Sequence, residues 1–113
     1  MTIKECAAWL NEHDDILILT HVRPDGDTLG GAAALCSALR RMGKNAALFN
    51  NPDITPKYFK YVKDFVSDNF DFACTLAVDV AEAHMLPTGF SGDVDVCIDH
   101  HPSNSHYAEK LLL

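Results

Sequence analysis

Hydrophobic positions along the chain follow two different spacings, which predicts a protein that contains both helices and strands. Residues 3–12 carry apolar side chains at helical spacing, after a Thr-x-x-Glu capping box that begins at Thr2. A continuous apolar run at 16–20 predicts a strand that is buried on both faces. Residues 28–42 return to the helical spacing, and Gly43 ends that helix.

The same two patterns continue to residue 98. Further strands are predicted at 45–49, 72–78 and 94–98, with short helices at 56–62, for which Thr55 is the N-cap, and at 81–86. Alternation of strands and helices is typical of a parallel sheet with right-handed crossovers. The predicted fold class is therefore α/β: a Rossmann-like parallel sheet with flanking helices.

Metal-binding side chains follow three of the predicted strands. The first strand leads into His21-Val22-Arg23-Pro24-Asp25-Gly26-Asp27, the third into Asp79, and the fourth into Asp99-His100-His101. Because the carboxyl ends of parallel strands share one edge of the sheet, these residues are expected to converge. Carboxylates and imidazoles together are suitable ligands for a divalent metal ion.

The loop at 21–27 combines several functional features. Gly26 allows a tight turn, so that Asp25 and Asp27 can point to neighbouring places. The next helix is predicted to begin near Thr28, and the N–H groups of a helix N-terminus favour phosphate.

Each motif also has a simpler interpretation. The residue types of the loop are those of ordinary surface turns, and Asp79 alone would suit a helix cap. Gly26, Gly30 and Gly31 lie near a helix start, as in nucleotide-binding loops, but their spacing is not Gly-x-Gly-x-x-Gly. Adjacent histidines can also be surface residues.

Net charge limits the classes of function. The 113 residues include 9 Lys and Arg against 16 Asp and Glu, giving −7, which argues against a basic face for duplex nucleic acid. An anionic substrate is still compatible, because bound divalent cations reverse the local charge. No apolar run is long enough to span a bilayer, and no signal-peptide pattern is present, so a cytoplasmic location is expected.

The cysteines and the remaining histidines are not expected at the site. Each cysteine lies in an apolar stretch without Cys-x-x-Cys spacing, which favours reduced, buried thiols at Cys6, Cys36, Cys74 and Cys97. The alternative for Cys97 is a soft zinc ligand, since it precedes Asp99 by two residues. Solvated positions are expected for His13, His84 and His106.

Together, the three motifs resemble a known family. His-x-x-Pro-Asp-Gly-Asp-x-x-Gly, an Asp after the third strand and Asp-His-His after the fourth look like the first three motifs of the DHH phosphoesterase superfamily. The resemblance extends over residues 16–101, and the Pro-Asp-Gly-Asp segment is most similar to the nanoRNase and pAp-phosphatase branch. Members of that branch often have Ser where Gly31 stands here.

The resemblance implies a domain organisation. A fourth motif and a smaller C-terminal substrate-binding domain would follow in this branch, and neither is present in these residues. Residues 1–113 are therefore interpreted as a single, partial catalytic domain that ends at the apolar Leu111-Leu112-Leu113, with no site residues in 103–113. An unfinished sheet would expose an apolar edge or face, which would favour self-association or poor solubility and leaves a homo-oligomer as one option.

The resemblance also implies roles for individual residues in binding two Mn²⁺ ions, with Mg²⁺ or Co²⁺ as other options. It assigns His21, Asp25 and Asp79 to the first ion, and Asp27, Asp79 and His100 to the second. His101 would contact the substrate phosphate, Asp99 would support the imidazoles, and Arg23, Gly30 and Gly31 are weaker candidates for phosphate contact. Arg23 is equally well explained as a solvated loop residue.

The implied function is a metal-dependent phosphoesterase acting on short oligoribonucleotides, pAp or linear dinucleotides, with Asp79 and His101 as catalytic residues. Two ions can clamp a phosphoryl group and lower the pKa of a bound water. Two alternatives remain: a fragment that binds metal or nucleotide without turnover, and a family II inorganic pyrophosphatase. Arg23 and Gly26 differ from the Asn-Pro-Asp-Thr-Asp segment that is more usual in that pyrophosphatase group.

Overall fold

A computed structural model describes residues 1–113 as an α/β fold with one sheet. Its elements are α1 (Ile3–Glu12), β1 (Ile16–Leu19), α2 (Gly26–Arg41), β2 (Ala46–Phe49), α3 (Pro56–Val62), β3 (Val66–Ser67), β4 (Cys74–Val78), a 3-10 helix (Ala83–Met85), β5 (Val96–Ile98) and β6 (Lys110–Leu112). The six strands are all parallel and lie in the order β3-β2-β1-β4-β5-β6. The predicted fold class is confirmed.

The sheet is covered differently on its two faces. All three α-helices contribute to a core of 15 buried residues on one face, which includes Ile16, Ile18 and Leu76. Six buried residues form a smaller core on the other face, where the covering chain is mostly non-helical. Every residue of β1 and β4 is buried, which explains why β1 is a continuous apolar run and β4 contains only one polar residue, Thr75.

The order of the strands creates a switch point between β1 and β4. From β1 the chain crosses through α2 to β2 on one side, whereas β4 lies on the other side of β1. In open α/β sheets, ligands bind at the carboxyl ends of the strands next to such a point. The predicted metal ligands follow these two strands and the adjacent β5.

Helix α2 begins at Gly26, two residues before the predicted start near Thr28. Asp25 is its N-cap, and its Oδ1 accepts hydrogen bonds from the N–H groups of Asp27 (3.1 Å) and Thr28 (3.2 Å). These bonds satisfy donors that have no partner within the helix. Asp25 is therefore both a cap and a predicted metal ligand.

Two strands are absent from the sequence-based prediction. β3 has two residues and β6 has three, so neither is long enough to show a periodic pattern. Both exist because they pair with a longer neighbour, β3 with β2 and β6 with β5. Residues 103–113 therefore contain one of the two edge strands of the sheet.

The predicted helix at 81–86 is wrong, since only a 3-10 helix at Ala83–Met85 forms there. The carbonyl of Val80 accepts from the Tyr107 hydroxyl at 3.0 Å, and that of Ala81 accepts from the Ser105 N–H at 3.0 Å. Backbone carbonyls that accept from a distant segment do not make the bonds to N–H groups four residues later with which an α-helix begins. The prediction for α3 is confirmed, since Thr55 is its N-cap residue and Pro56 begins the helix, although the Thr55 side chain makes no capping hydrogen bond.

Gly31 allows α2 to pack closely against β4. A Cβ at this position would lie 3.0 Å from Val78 Cγ1, which is closer than side chains normally approach. This contact explains why a glycine is present inside the helix, where it lowers helix stability. None of the helices has the length and hydrophobicity that crossing a membrane requires.

Substituting Leu76 with alanine should destabilise the domain strongly. Leu76 is fully buried in β4, so Leu76→Ala should lower the free energy of unfolding by about 2–5 kcal/mol. Leu113→Ala is the matched control, because Leu113 is 62% exposed and should change stability by less than about 0.5 kcal/mol. Urea unfolding followed by circular dichroism measures both, and equal losses would contradict this description of the core.

Candidate metal centre

Asp79 lies at the centre of the candidate site, directly after β4. Its backbone is in the left-handed region, with φ of +62°, and its N–H donates to the Ile98 carbonyl at 2.8 Å. Aspartate tolerates this conformation better than most residues do. The residue is only 8% exposed, and its Oδ1 is buried without any hydrogen bond.

Asp79 Oδ1 lies close to a histidine ring. His100 Nε2 lies 2.9 Å away, but it is not aligned as a hydrogen-bond donor to this oxygen. A buried carboxylate oxygen without a donor has a high desolvation cost. A cation bound between the two residues would remove that cost, so the arrangement fits a metal ligand set.

One group of three possible ligands joins the first loop to Asp79. Ligand atoms of His21, Asp25 and Asp79 all lie within 4.8 Å of one another. Nδ1 of His21 donates to the Val22 carbonyl at 2.7 Å, so the lone pair belongs to Nε2, which lies 3.6 Å from Asp25 Oδ1. Asp25 Oδ2 has no hydrogen bond within the chain and is available to an ion.

A second group contains the residues after β5. Ligand atoms of Asp79, Asp99, His100 and His101 also lie within 4.8 Å of one another. His101 Nδ1 lies 2.6 Å from Asp99 Oδ1, and the Asp99 side chain is fully buried. The hydrogen bond to Asp99 raises the pKa of His101, against a smaller opposing effect of desolvation. Asp99 is thus in direct contact with one imidazole.

The pKa of Asp99 reflects two opposing effects. Burial raises it, but hydrogen bonds from the Asn104 side chain, His101 and the His100 backbone together outweigh burial. The pKa of Asp99 is therefore below its ordinary value, and the carboxylate is ionised at neutral pH.

Asp27 lines a cavity beside Asp79, but it belongs to neither ligand group. The cavity has a volume of about 320 Å³ and is lined by Asp27, Val78, Asp79, Ile98, Asp99 and His100. The assignment of Asp27 to a second ion remains a prediction. Arg23, also with a positive φ (+49°), is exposed, and its backbone N–H donates to Asp53 Oδ2 at 3.0 Å.

The charges of the site also fit a divalent cation. Four carboxylates lie in or beside the cavity, those of Asp25, Asp27, Asp79 and Asp99. No lysine or arginine forms an ion pair with any of them. Oxygen and imidazole donors suit Mn²⁺ and similar ions. The sequence-based prediction of a metal site at this edge is therefore consistent with the geometry.

Residues 15–112 match the N-terminal domain of the DHH family. The chain belongs to the DHH family. The predicted membership of the superfamily, and of its nanoRNase and pAp-phosphatase branch, is confirmed by the match and by the names of its relatives.

Three bacterial proteins illustrate these relatives. The bifunctional oligoribonuclease and PAP phosphatase NrnA of Thermus thermophilus is 32% identical over 81% of this chain, and that of Bacillus subtilis is 26% identical over 95%. The probable NrnA of Streptococcus mutans is 25% identical over 94%. This DHH domain spans only 36%, 29% and 36% of the S. mutans, T. thermophilus and B. subtilis proteins, respectively.

A solved structure shares the fold. An exopolyphosphatase-related protein from Bacteroides fragilis superposes with a TM-score of 0.77 over 97% of this chain and 37% of its own, at 21% identity. At that identity the similarity establishes the arrangement of strands and helices.

Asn104 supports this DHH site, although it lies in a segment for which no site residue was predicted. Its Nδ2 donates to Asp99 Oδ2 at 2.8 Å, and it also lies 3.4 Å from the Val80 carbonyl. The residue is buried, so its side chain joins the loop after β4 to the loop after β5. Hydrophobic periodicity does not predict such a residue. The one feature of the sequence that could have indicated Asn104 is its position three residues after the Asp-His-His motif.

Asn51 has a similar role for the first loop. Its buried Nδ2 donates to Thr20 Oγ1 at 3.0 Å and to the His21 carbonyl at 2.7 Å. Its Oδ1 accepts from the Asp53 N–H at 3.0 Å, and Asp53 in turn accepts from Arg23. The backbone at His21 is thus held by the loop after β2.

The residues expected to lie outside the site do so. All four cysteines are buried free thiols, and burial raises the pKa of Cys74 to about 11. Cys97 Sγ donates to the Val80 carbonyl and belongs to neither ligand group. His84 and His106 are exposed, whereas His13 is half-buried and stacks on Trp9 at 4.1 Å, which corrects its predicted solvation.

Replacing Asn104 with leucine should destabilise the domain by about 1–3 kcal/mol, because the buried Asp99 carboxylate loses a donor that no water replaces. Leucine has nearly the same shape, which limits the effect of lost packing. Asn11→Leu is the matched control, since Asn11 is exposed and its side chain makes no hydrogen bond. Chemical unfolding measures the difference, and equal stabilities of the two variants would refute the role of Asn104.

Proposed function

We propose that this DHH domain is the metal-binding part of a phosphoesterase that hydrolyses short oligoribonucleotides, pAp or linear dinucleotides. The observation that carries the proposal is the buried Asp79 Oδ1 without a hydrogen bond, in a carboxylate that belongs to both groups of possible ligands. The names of the NrnA relatives support the class of substrate.

In this proposal each ion has its own ligand set. His21 and Asp25 hold one ion, Asp27 and His100 hold the other, and Asp79 is shared between them. Mn²⁺ is the proposed metal, with Mg²⁺ or Co²⁺ as substitutes. Such ions neutralise charge on a phosphoryl group and activate a water for attack.

Side chains beside the ions would orient the substrate. Asp99 contacts Nδ1 of His101, which leaves Nε2 of the imidazole to contact a phosphate oxygen in the proposed arrangement. Asn104 and the β6 edge hold Asp99, whose N–H donates to the Leu112 carbonyl at 3.0 Å.

Asp79→Asn should lower Mn²⁺-dependent hydrolysis of pAp and of a short oligoribonucleotide at least about 100-fold, because one carboxylate serves both ions. Asparagine has the same shape and tolerates the left-handed backbone, so the variant should fold. The matched control is Asp71→Asn, at an exposed carboxylate without a hydrogen bond, which should keep full activity. Product release measured by chromatography tests this, and turnover retained in Asp79→Asn would exclude the shared-ligand role.

The same assay separates the alternatives. Pyrophosphate hydrolysed faster than either nucleotide would indicate a family II pyrophosphatase. Absence of turnover with every substrate would favour the second candidate, metal binding without catalysis, which is suggested by the small share of the NrnA relatives that this chain spans.

Calorimetric titration of the metal-free protein with Mn²⁺ should give two ions per chain. Because the ions bind the folded state, they should also raise the melting temperature. A stoichiometry of one would support the binding-only candidate, and Asp79→Asn should weaken every binding event that the wild-type protein shows. Unchanged Mn²⁺ affinity in that variant would contradict the proposed ligand set.

A further inference from the structure

Helix α3 carries an unusual concentration of aromatic and basic residues for so acidic a chain. Residues 56–63 contain three of the nine positive charges of the protein and three aromatic side chains: Lys57, Lys60, Lys63, Tyr58, Phe59 and Tyr61. Tyr61 is 68% exposed, although an aromatic ring loses favourable burial when it faces water. The acidic neighbour Asp64 is exposed and offsets one of the three charges.

Both tyrosines of α3 border a groove between α3 and α2. Its volume is about 210 Å³, and its walls include Gly26, Leu29, Gly30 and Ala33 of α2 as well as Tyr58 and Tyr61. Tyr58 and Tyr61 are three residues apart and share one face of the helix. Lys57 Nζ lies 5.4 Å from the centre of the Tyr58 ring, and Lys60 Nζ lies 5.1 Å from that of Tyr61.

The groove opens beside the candidate metal centre. Gly26 lies in the chain between Asp25 and Asp27, and a Cβ there would come within 4.0 Å of the Tyr58 ring. Above Gly30 the groove is open, because a Cβ at that position would meet no atom within 4 Å. A ligand held by the metal ions can therefore continue along α2 into the groove.

Charge complementarity identifies the occupant as an anion with an aromatic part. Arg40, Arg41 and Lys44 lie around the far end of the 16-residue α2, about 20 Å from its first turn. Lys57 and Lys60 of α3 each precede one of the two tyrosines that line the groove. Aromatic rings accompanied by lysines are the means by which proteins bind single-stranded nucleotides, through stacking on the base and attraction of the phosphate.

We propose that the α2–α3 groove binds the nucleobase next to the scissile phosphate, with Tyr61 and Tyr58 stacking on the base and Lys57 and Lys60 facing its phosphate. The inference rests on the proposed function and assigns part of its specificity: nucleotides are selected over phosphate esters that lack a base. The groove, not the metal centre, makes this selection.

The test compares two ligands that differ only in the base. Adenosine 5′-monophosphate and ribose 5-phosphate are titrated into the full chain in the presence of Mn²⁺, and binding is measured by calorimetry. The wild-type protein should bind the nucleotide about 10-fold more tightly, as expected for one stacked base. Equal affinities, or no binding of the nucleotide, would overturn the inference.

Tyr61→Ala should remove this preference, because it should weaken binding of the nucleotide and leave binding of ribose 5-phosphate unchanged. The variant should fold because Tyr61 is exposed. Phe59→Ala is the matched control, since Phe59 is a partly exposed aromatic residue of the same helix that does not line the groove. Gly30→Met is a second variant, which should fill the groove without a clash and weaken nucleotide binding to a similar extent. An unchanged preference in Tyr61→Ala and Gly30→Met would overturn the proposal.

These measurements do not depend on turnover, so the two proposals fail separately. Base preference in a protein that hydrolyses no ester would support the groove and reject the phosphoesterase. Hydrolysis without base preference would support the phosphoesterase and reject the groove. The latter result would also be expected if another protein segment, rather than a nucleotide, covers α3.

Discussion

The carboxylate of Asp79 is the group on which the candidate site depends. It is buried, its backbone is left-handed, and one of its oxygens has no donor, and each of these features costs folding free energy. The conformation is maintained because its N–H is fixed to the carbonyl of Ile98 and the strand before it is fully buried. An ion at this position would balance the unpaired oxygen, so the cost and the proposed function have the same origin.

Rigid elements hold the other ligands in place around Asp79. Thr28 Oγ1 in the first turn of α2 donates to the Val78 carbonyl at 2.7 Å, directly before Asp79. Gly31 permits close packing of the same helix on Val78. The first loop and the end of β4 are thus joined by a buried hydrogen bond and a tight contact, which keeps the distance between their ligands constant.

Asp25 and Asp99 show how hydrogen bonds hold acidic side chains close together without basic side chains. Asp25 accepts N–H bonds at the positive N-terminus of α2, and Asp99 accepts from Asn104 and His101. Each carboxylate therefore has neutral or imidazole donors of its own. Positive charge at the candidate centre would come from bound ions, since no lysine or arginine forms an ion pair with these carboxylates.

The sequence by itself determined the parallel sheet and which residues gather at its carboxyl edge. Continuous apolar runs report strands buried on both faces, and strand polarity then places His21, Asp79 and His100 at one edge. Only the tertiary structure decided the start of α2 at Gly26, the edge strand β6 and the support from Asn104. The start of α2 depends on the side-chain bonds of Asp25, β6 on pairing with β5, and the support from Asn104 on a contact with Val80, 24 residues away. Such contacts leave no periodic signal in the sequence.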